Sequence, residues 1–208
     1  MNVKEMLKLG VVLAIFATAA CVMLAFVYAG TAPIIAEREK DALNTALREV
    51  FPDADNFEPT DEIDVPDSSI KVLGAFQAMR GGEVTGALIR VSVGGFGGPI
   101  VLIIGVDAEG EITGVRILDH SETPGFGANA SSSSYYVEGT TTFYGQYTGK
   151  KYDDPLALGG DVIAVSGATI TSRAVNSSIK AVATAGQSWL GGAESAVDHR
   201  ESEEAWDE

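Results

Sequence analysis

From Leu9 to Ala36 no position carries a charge. At 1.5 Å rise per residue this stretch makes about 40 Å of helix, more than the ~30 Å hydrocarbon core of a bilayer requires. It predicts a membrane span over roughly Leu9 to Ala29. The span is expected to be retained, because the apolar region of a cleaved signal peptide is only about 7–15 residues long. The pattern changes after Pro33. Ile35, Ala42, Leu43, Ala46, Leu47 and Val50 recur at three- and four-residue spacing, which predicts an amphipathic helix over Ile34–Phe51 ended by Pro52. That helix either continues from the span or hinges at Thr31-Ala32-Pro33. Asp53–Ser69, rich in Asp, Pro and Ser, reads as a loop or linker.

Four segments rich in β-branched and apolar residues follow: Val72–Met79, Val84–Val93, Pro99–Val106 and Ile112–Leu118. The glycine-containing turns between them are short, so the strands are expected to be antiparallel neighbours. Gly94–Gly98 matches no dinucleotide or P-loop spacing and reads as a hairpin turn, with Phe96 free to touch a ligand or partner. Ala130–Thr142 reads as an exposed polar excursion, and the aromatic residues of Phe143–Tyr147 as core. Val162–Val165 reads as a short strand leading into a helix whose apolar face is Ala174, Val175, Ile179, Val182, Ala183, Gly186, Trp189 and Leu190. Gly191-Gly192 is expected to end that helix. The segments are thus an anchor over 1–33, a helix and linker over 34–69, a domain over 70–192 and an acidic tail over 193–208. Trp206 in that tail hints at docking to a partner. The fold class is α+β: one transmembrane helix, then a mostly antiparallel sheet packed by helices.

Composition removes several functions. The 208 residues carry a formal charge of −15 and no Lys/Arg-rich run, which argues against nucleic acid. With one Cys, placed in the span, and two His, neither a disulfide nor a zinc or haem site is expected. The Lys/Arg count flanking the span gives no bias of orientation.

The remaining chemistry gathers in Ser166–Ser172, Ser-Gly-Ala-Thr-Ile-Thr-Ser, at the start of the last helix. First-turn N–H groups lack intrahelical partners and lie at the positive end of the helix dipole, so this junction suits a phosphate. Hydroxyls at a helix start are also ordinary caps, and on the residues alone that alternative stands. His120 and Glu122 invite an acid/base reading, against the plainer one of surface residues.

Ser166-Gly167-Ala168-Thr169, continued by Ile170-Thr171-Ser172, resembles the S/T-G-A-T flavinylation motif of the FMN-binding domains in Rnf and Na⁺-translocating NADH:quinone reductase complexes. His120-Ser121-Glu122-Thr123-Pro124-Gly125-Phe126-Gly127 resembles the same family's H-x-E-T-P-G-L-G loop, with Phe126 in place of Leu. Phe143–Lys150 resembles its F-x-x-Q-F-x-G-K stretch. The family often has Asp where this chain has Ile163. Length and the single span are most similar to the G subunit of Rnf.

The resemblance implies a domain over 70–192 that carries FMN through a phosphoester to Thr169. Ser166, Gly167, Ala168, Thr171, Ser172, Glu122, Thr123, Gly125, Leu158 and Gly159 are expected to form its binding site. The implied role is electron relay, with no catalytic residue of its own, in an ion-translocating ferredoxin:NAD oxidoreductase. Implied partners are the other Rnf subunits, a flavin transferase for maturation, and membrane lipid. The implied placement is single-pass in the cell membrane, amino terminus cytoplasmic and domain on the outer face. The alternatives are the equivalent quinone-reductase subunit, a cofactor-free tethered binding module, and a hydrolase built on Ser166 and His120.

Overall fold

The computed structural model describes residues 3–60 and 63–204. The chain divides into two compact units, Met1–Asn44 and Thr45–Glu208. Helix α1, Val3–Val50, provides the first unit and supplies its last turns to the second. Its amino-terminal part is long and apolar enough to cross a membrane, and the large apolar side chains from Val3 to Ile35 are exposed. The helix does not break at Pro33. Pro33 removes one backbone donor, while the Thr31 hydroxyl donates to the Val27 carbonyl at 2.9 Å one turn earlier.

The second unit is built on five strands in sequential order: β1 (Asn56–Thr60), β2 (Ile70–Arg80), β3 (Glu83–Gly94), β4 (Pro99–Asp107) and β5 (Ile112–His120). All neighbours are antiparallel. The four predicted strands are present, each within a few residues of its expected ends. Strand β1 falls inside the stretch expected to be a loop. Pro59 and the polar residues around it hide the strand in the sequence, and β1 lies at the sheet edge, where a missing N–H is tolerated. Gly94–Gly98 is the expected hairpin: Gly94 pairs with Pro99, and Gly95 N–H donates to Gly98 O at 2.8 Å.

Alternation along the strands gives two buried faces. Ile89, Val91, Leu102, Ile104, Val106, Val115 and Ile117 meet Val175, Ile179, Val182 and Ala183 of helix α2 (Thr169–Glu204) in the main core. Leu88 and Ile103 point the other way and are also fully buried, as are Ala46, Leu47 and Val50 at the end of α1. Gly105 and Gly114, paired across β4 and β5, make room for this turn. A Cβ on Gly114 would lie 2.9 Å from Val50 O and 3.1 Å from Val50 Cα.

After β5 come a 3₁₀ turn (Gly127–Ser131) and a two-stranded ribbon, β6 (Tyr136–Glu138) and β7 (Thr141–Thr142), and within the expected excursion Ser133, Ser134, Tyr136 and residues 138–141 are exposed. Ala130 is buried, and Tyr135 and Val137 pack against the core. Phe143 and Tyr147 are core residues as expected, in edge-to-face contact with centroids 5.9 Å apart. The Tyr147 hydroxyl donates to Asn176 Oδ1 at 3.0 Å.

Two expectations on either side of the Ser166 segment are corrected. Val162–Val165 forms no strand, only a single bridge between Leu158 and Val162. The Gln146 side chain holds it instead, accepting from Ile163 N–H at 2.8 Å and donating to Ile163 O at 3.0 Å, as a neighbouring strand would. Helix α2 also does not stop at Gly191-Gly192 but continues to Glu204. No heavy atom crowds either glycine, and a glycine inside a helix costs about 1 kcal/mol without forbidding it. Trp206 and the last acidic residues lie outside the described residues.

Candidate functional site

The start of α2 is made by a turn. Ala168 N–H donates to Val165 O at 3.0 Å, and Gly167, third in that turn, has φ of +74°, the left-handed value that disfavours side chains. A Cβ there would also lie 2.9 Å from the Phe126 ring. The first helical bond runs from Ser172 N–H to Ala168 O at 2.9 Å, so Ala168 occupies the capping position. Alanine has no side-chain acceptor.

Two of the hydroxyls that the sequence offers as caps, those of Thr171 and Ser172, are otherwise engaged. Thr171 donates to Glu122 Oε2 at 2.7 Å, and Ser172 Oγ accepts from Val165 N–H at 3.0 Å. Neither of these two hydroxyls caps the helix. The N–H groups of Thr169, Ile170 and Thr171 have no intrahelical acceptor at the positive end of a helix of 36 residues. Thr169 itself is exposed.

Facing this helix end is the loop after β5. The carbonyl of Thr123 accepts from the N–H groups of Phe126 and Ala128, both at 3.2 Å, and Gly125 takes φ of +80° between them. His120 holds the loop's root. Ser131 Oγ spends its proton on Ala128 O at 2.9 Å, so the hydrogen between it and His120 Nε2, at 2.8 Å, belongs to the ring. That assigns the neutral Nε2–H tautomer and leaves Nδ1 to accept from Glu122 N–H at 3.3 Å. Both ring nitrogens are thereby engaged, and neither with Ser166. The hydrolase alternative lacks its nucleophile–base pair.

Loop and helix end enclose a cleft of about 520 Å³ lined by Phe96, Glu122, Thr123, Phe126, Gly127 and residues 167–171. Six of the expected site residues meet there: Glu122, Thr123, Gly167, Ala168, Thr169 and Thr171. The other five do not line it. Ser172 is buried and holds the turn, Ser166 is exposed beside it, and Gly125 is exposed in the facing loop. Leu158 and Gly159 belong to a separate turn in which Gly159 N–H donates to Val162 O at 2.8 Å.

The lining includes residues that sequence reasoning had not placed in the site. Phe126 and Ile170 are 55% and 54% exposed, and Phe96, noted only as free to touch something, is 71% exposed. Their signal in the sequence was a large apolar residue inside an otherwise polar or glycine-rich turn. Among the described residues the cleft therefore joins unpaired N–H donors and a free hydroxyl to apolar walls. Such a set suits a ligand with an anionic end and a flat, largely apolar body.

Comparison with known proteins agrees with this chemistry. A family model described as FMN-binding domain matches residues 95–184, and one described as the RnfG N-terminal region matches residues 1–50. The chain is 35% identical over 147 residues to the G subunit of the ion-translocating oxidoreductase complex of Stutzerimonas stutzeri, covering 68% of this chain and 63% of that protein. It is 30% identical over 193 residues to the G subunit of the Na⁺-translocating ferredoxin:NAD⁺ oxidoreductase complex of Acetobacterium woodii, covering 85% and 89%. The proton-translocating counterpart of Clostridium ljungdahlii is 31% identical over 167 residues, covering 76% and 80%.

Proposed function

The chain belongs to the family of G subunits of ion-translocating oxidoreductase complexes, and from that premise we propose that it is a membrane-anchored electron relay in a ferredoxin:NAD oxidoreductase, carrying FMN covalently on Thr169. The observation that carries the reading is the exposed Thr169 hydroxyl at an uncapped helix start, inside a cleft with apolar walls. Thr169 would hold the phosphate through an ester, with the free N–H groups of the first turn of α2 beside it. Phe96, Phe126 and Ile170 offer apolar surface to the ring system, and Thr123, Gly167 and Ala168 complete the wall. Ser166, Ser172 and Gly125 shape the two turns, and Leu158 and Gly159 steady the approach to the motif.

Attachment requires a flavin transferase. The Thr169 oxygen would form the new bond to the flavin-side phosphorus of a flavin dinucleotide donor, the donor's pyrophosphate bond would break with the nucleoside monophosphate as leaving group, and the hydroxyl proton would pass to the transferase. When bound, FMN supplies the one- and two-electron chemistry. The chain's own residues attach it, orient it and shield one side from water.

The match of residues 1–50 to the RnfG N-terminal region favours an Rnf assembly over the quinone reductase. Relatives named for sodium and for proton translocation are about equally similar to this chain, which fits a subunit that carries electrons rather than the ion. The remaining assignments follow the family: α1 anchors the chain in the cell membrane with its amino terminus cytoplasmic. The 70–192 domain lies on the outer face among other subunits, where a tethered flavin is not lost by dissociation.

The test is the intact mass and in-gel fluorescence of the denatured chain, matured with its flavin transferase, beside a Thr169→Val variant. Flavin that survives denaturation on the natural chain and is absent from the variant is the expected result. A natural chain at its bare polypeptide mass would overturn the proposal.

A further inference from the structure

Glu122 is 7% exposed, and among the described residues no cation pairs with it. A buried carboxylate without a counter-ion is costly unless other groups offset its lost hydration. Here neutral donors do so: Gly97 N–H donates to Oε1 at 3.0 Å and the Thr171 hydroxyl to Oε2 at 2.7 Å. The start of α2, with its positive dipole end, adds a favourable field. The surrounding chain is shaped to the carboxylate. A Cβ on Gly95 or on Gly127 would run into its oxygens, and one on Gly127 would also lie 2.9 Å from Thr171 Oγ1. Three segments far apart in sequence meet on this one group: the β3–β4 turn, the loop after β5, and the first turn of α2.

Hydrogen bonding alone does not call for a carboxylate. A glutamine of the same shape would accept from Gly97 N–H with its oxygen and donate to Thr171 Oγ1 with its amide. What glutamine cannot supply is the charge.

We propose that Glu122 is a positioning residue that ties the start of α2 to the cleft through Thr171, and that its fixed negative charge in the cleft wall lowers the potential of the flavin carried there. This rests on the reading of the chain as an FMN carrier. A negative charge in a water-poor wall opposes the addition of electrons beside it, and little solvent is present to screen it. The tie to Thr171 acts two residues from the attachment oxygen, so it fixes the turn on which Thr169 is presented.

The experiment uses the full chain in detergent, loaded by its flavin transferase, as the natural protein, Glu122→Gln and Thr171→Val. Three quantities are read: flavin per chain by intact mass over a time course of loading, midpoint potential by spectroelectrochemistry, and unfolding midpoint. Glu122→Gln is expected to fold and load, and to shift the oxidised–reduced equilibrium about tenfold toward the reduced form, which for a two-electron couple is about +30 mV. Thr171→Val keeps the charge and loses the tie, so its loading slows several-fold while its potential stays at the natural value.

An unchanged potential in loaded Glu122→Gln would overturn the charge assignment. So would failure of that variant to fold, since the amide satisfies the same donors and the carboxylate would then be a structural requirement. Thr171→Val loading at the natural rate would overturn the positioning half. A natural chain that takes up no flavin would instead overturn the proposed function.

Discussion

Tyr147 shows how one polar atom is managed in the core. It is fully buried, burial pushes its phenol well above the usual tyrosine range, and its hydroxyl reaches Asn176 Oδ1. Tyr147→Phe leaves that acceptor unpaired and is expected to cost about 1–2 kcal/mol at neutral pH, read by urea unfolding. The sign of the pH effect follows from the raised value. Below the unfolded-state pKa of about 10 the phenol is protonated in both states and the stability is fully present. Above it the unfolded chain ionises while the native one does not, so the natural protein loses about 1.4 kcal/mol per pH unit relative to the variant. The other tyrosines titrate in both proteins and cancel in the difference, so the stability gap should narrow above a pH of about 10. At this scale much of the site was legible: Glu122, Thr169 and Thr171 stand in recognisable motifs. The bond between Glu122 and Thr171 was not, because it joins residues 49 positions apart, and periodicity reports only near neighbours.

Among the elements, the long periodic ones were readable and the short polar ones were not. The four apolar strands and the apolar face of α2 announced themselves by alternation and by helical spacing. β1 did not, since a sheet-edge strand with Pro59 has no alternation to show. Nor could the sequence distinguish a strand at Val162–Val165 from an extended segment held by the side chain of Gln146, because both need the same apolar residues. The second buried face was also hidden: glycine in a strand reads as weakness until a partner occupies the groove. Gly114→Ala tests that groove. Its added methyl meets Val50 backbone rather than a flexible side-chain end, so it is expected to cost about 1–3 kcal/mol, seen as a lower denaturation midpoint.

At the scale of the molecule, a single helix supplies both the membrane-length apolar stretch and one cover of the sheet. Truncation should respect this. A chain starting at Lys40 keeps Ala46, Leu47 and Val50 and is expected to unfold cooperatively at a normal urea midpoint. One starting at Phe51 loses their burial and about 3–6 kcal/mol, counting roughly 1.5–3 for each of the two larger side chains, and comparison of the two curves checks it. The order of the strands has a consequence in time. Each pairs with the next one made, so the sheet can assemble as the polypeptide leaves the ribosome. The cleft cannot: at about 5–20 residues per second, the 49 residues from Glu122 to Thr171 take roughly 2–10 s to synthesise. During that interval the residues of all five strands and the carboxylate have been made, while the helix start that donates to it has not. Thr169 and the helix start that presents it are thus among the last parts of the domain to be made.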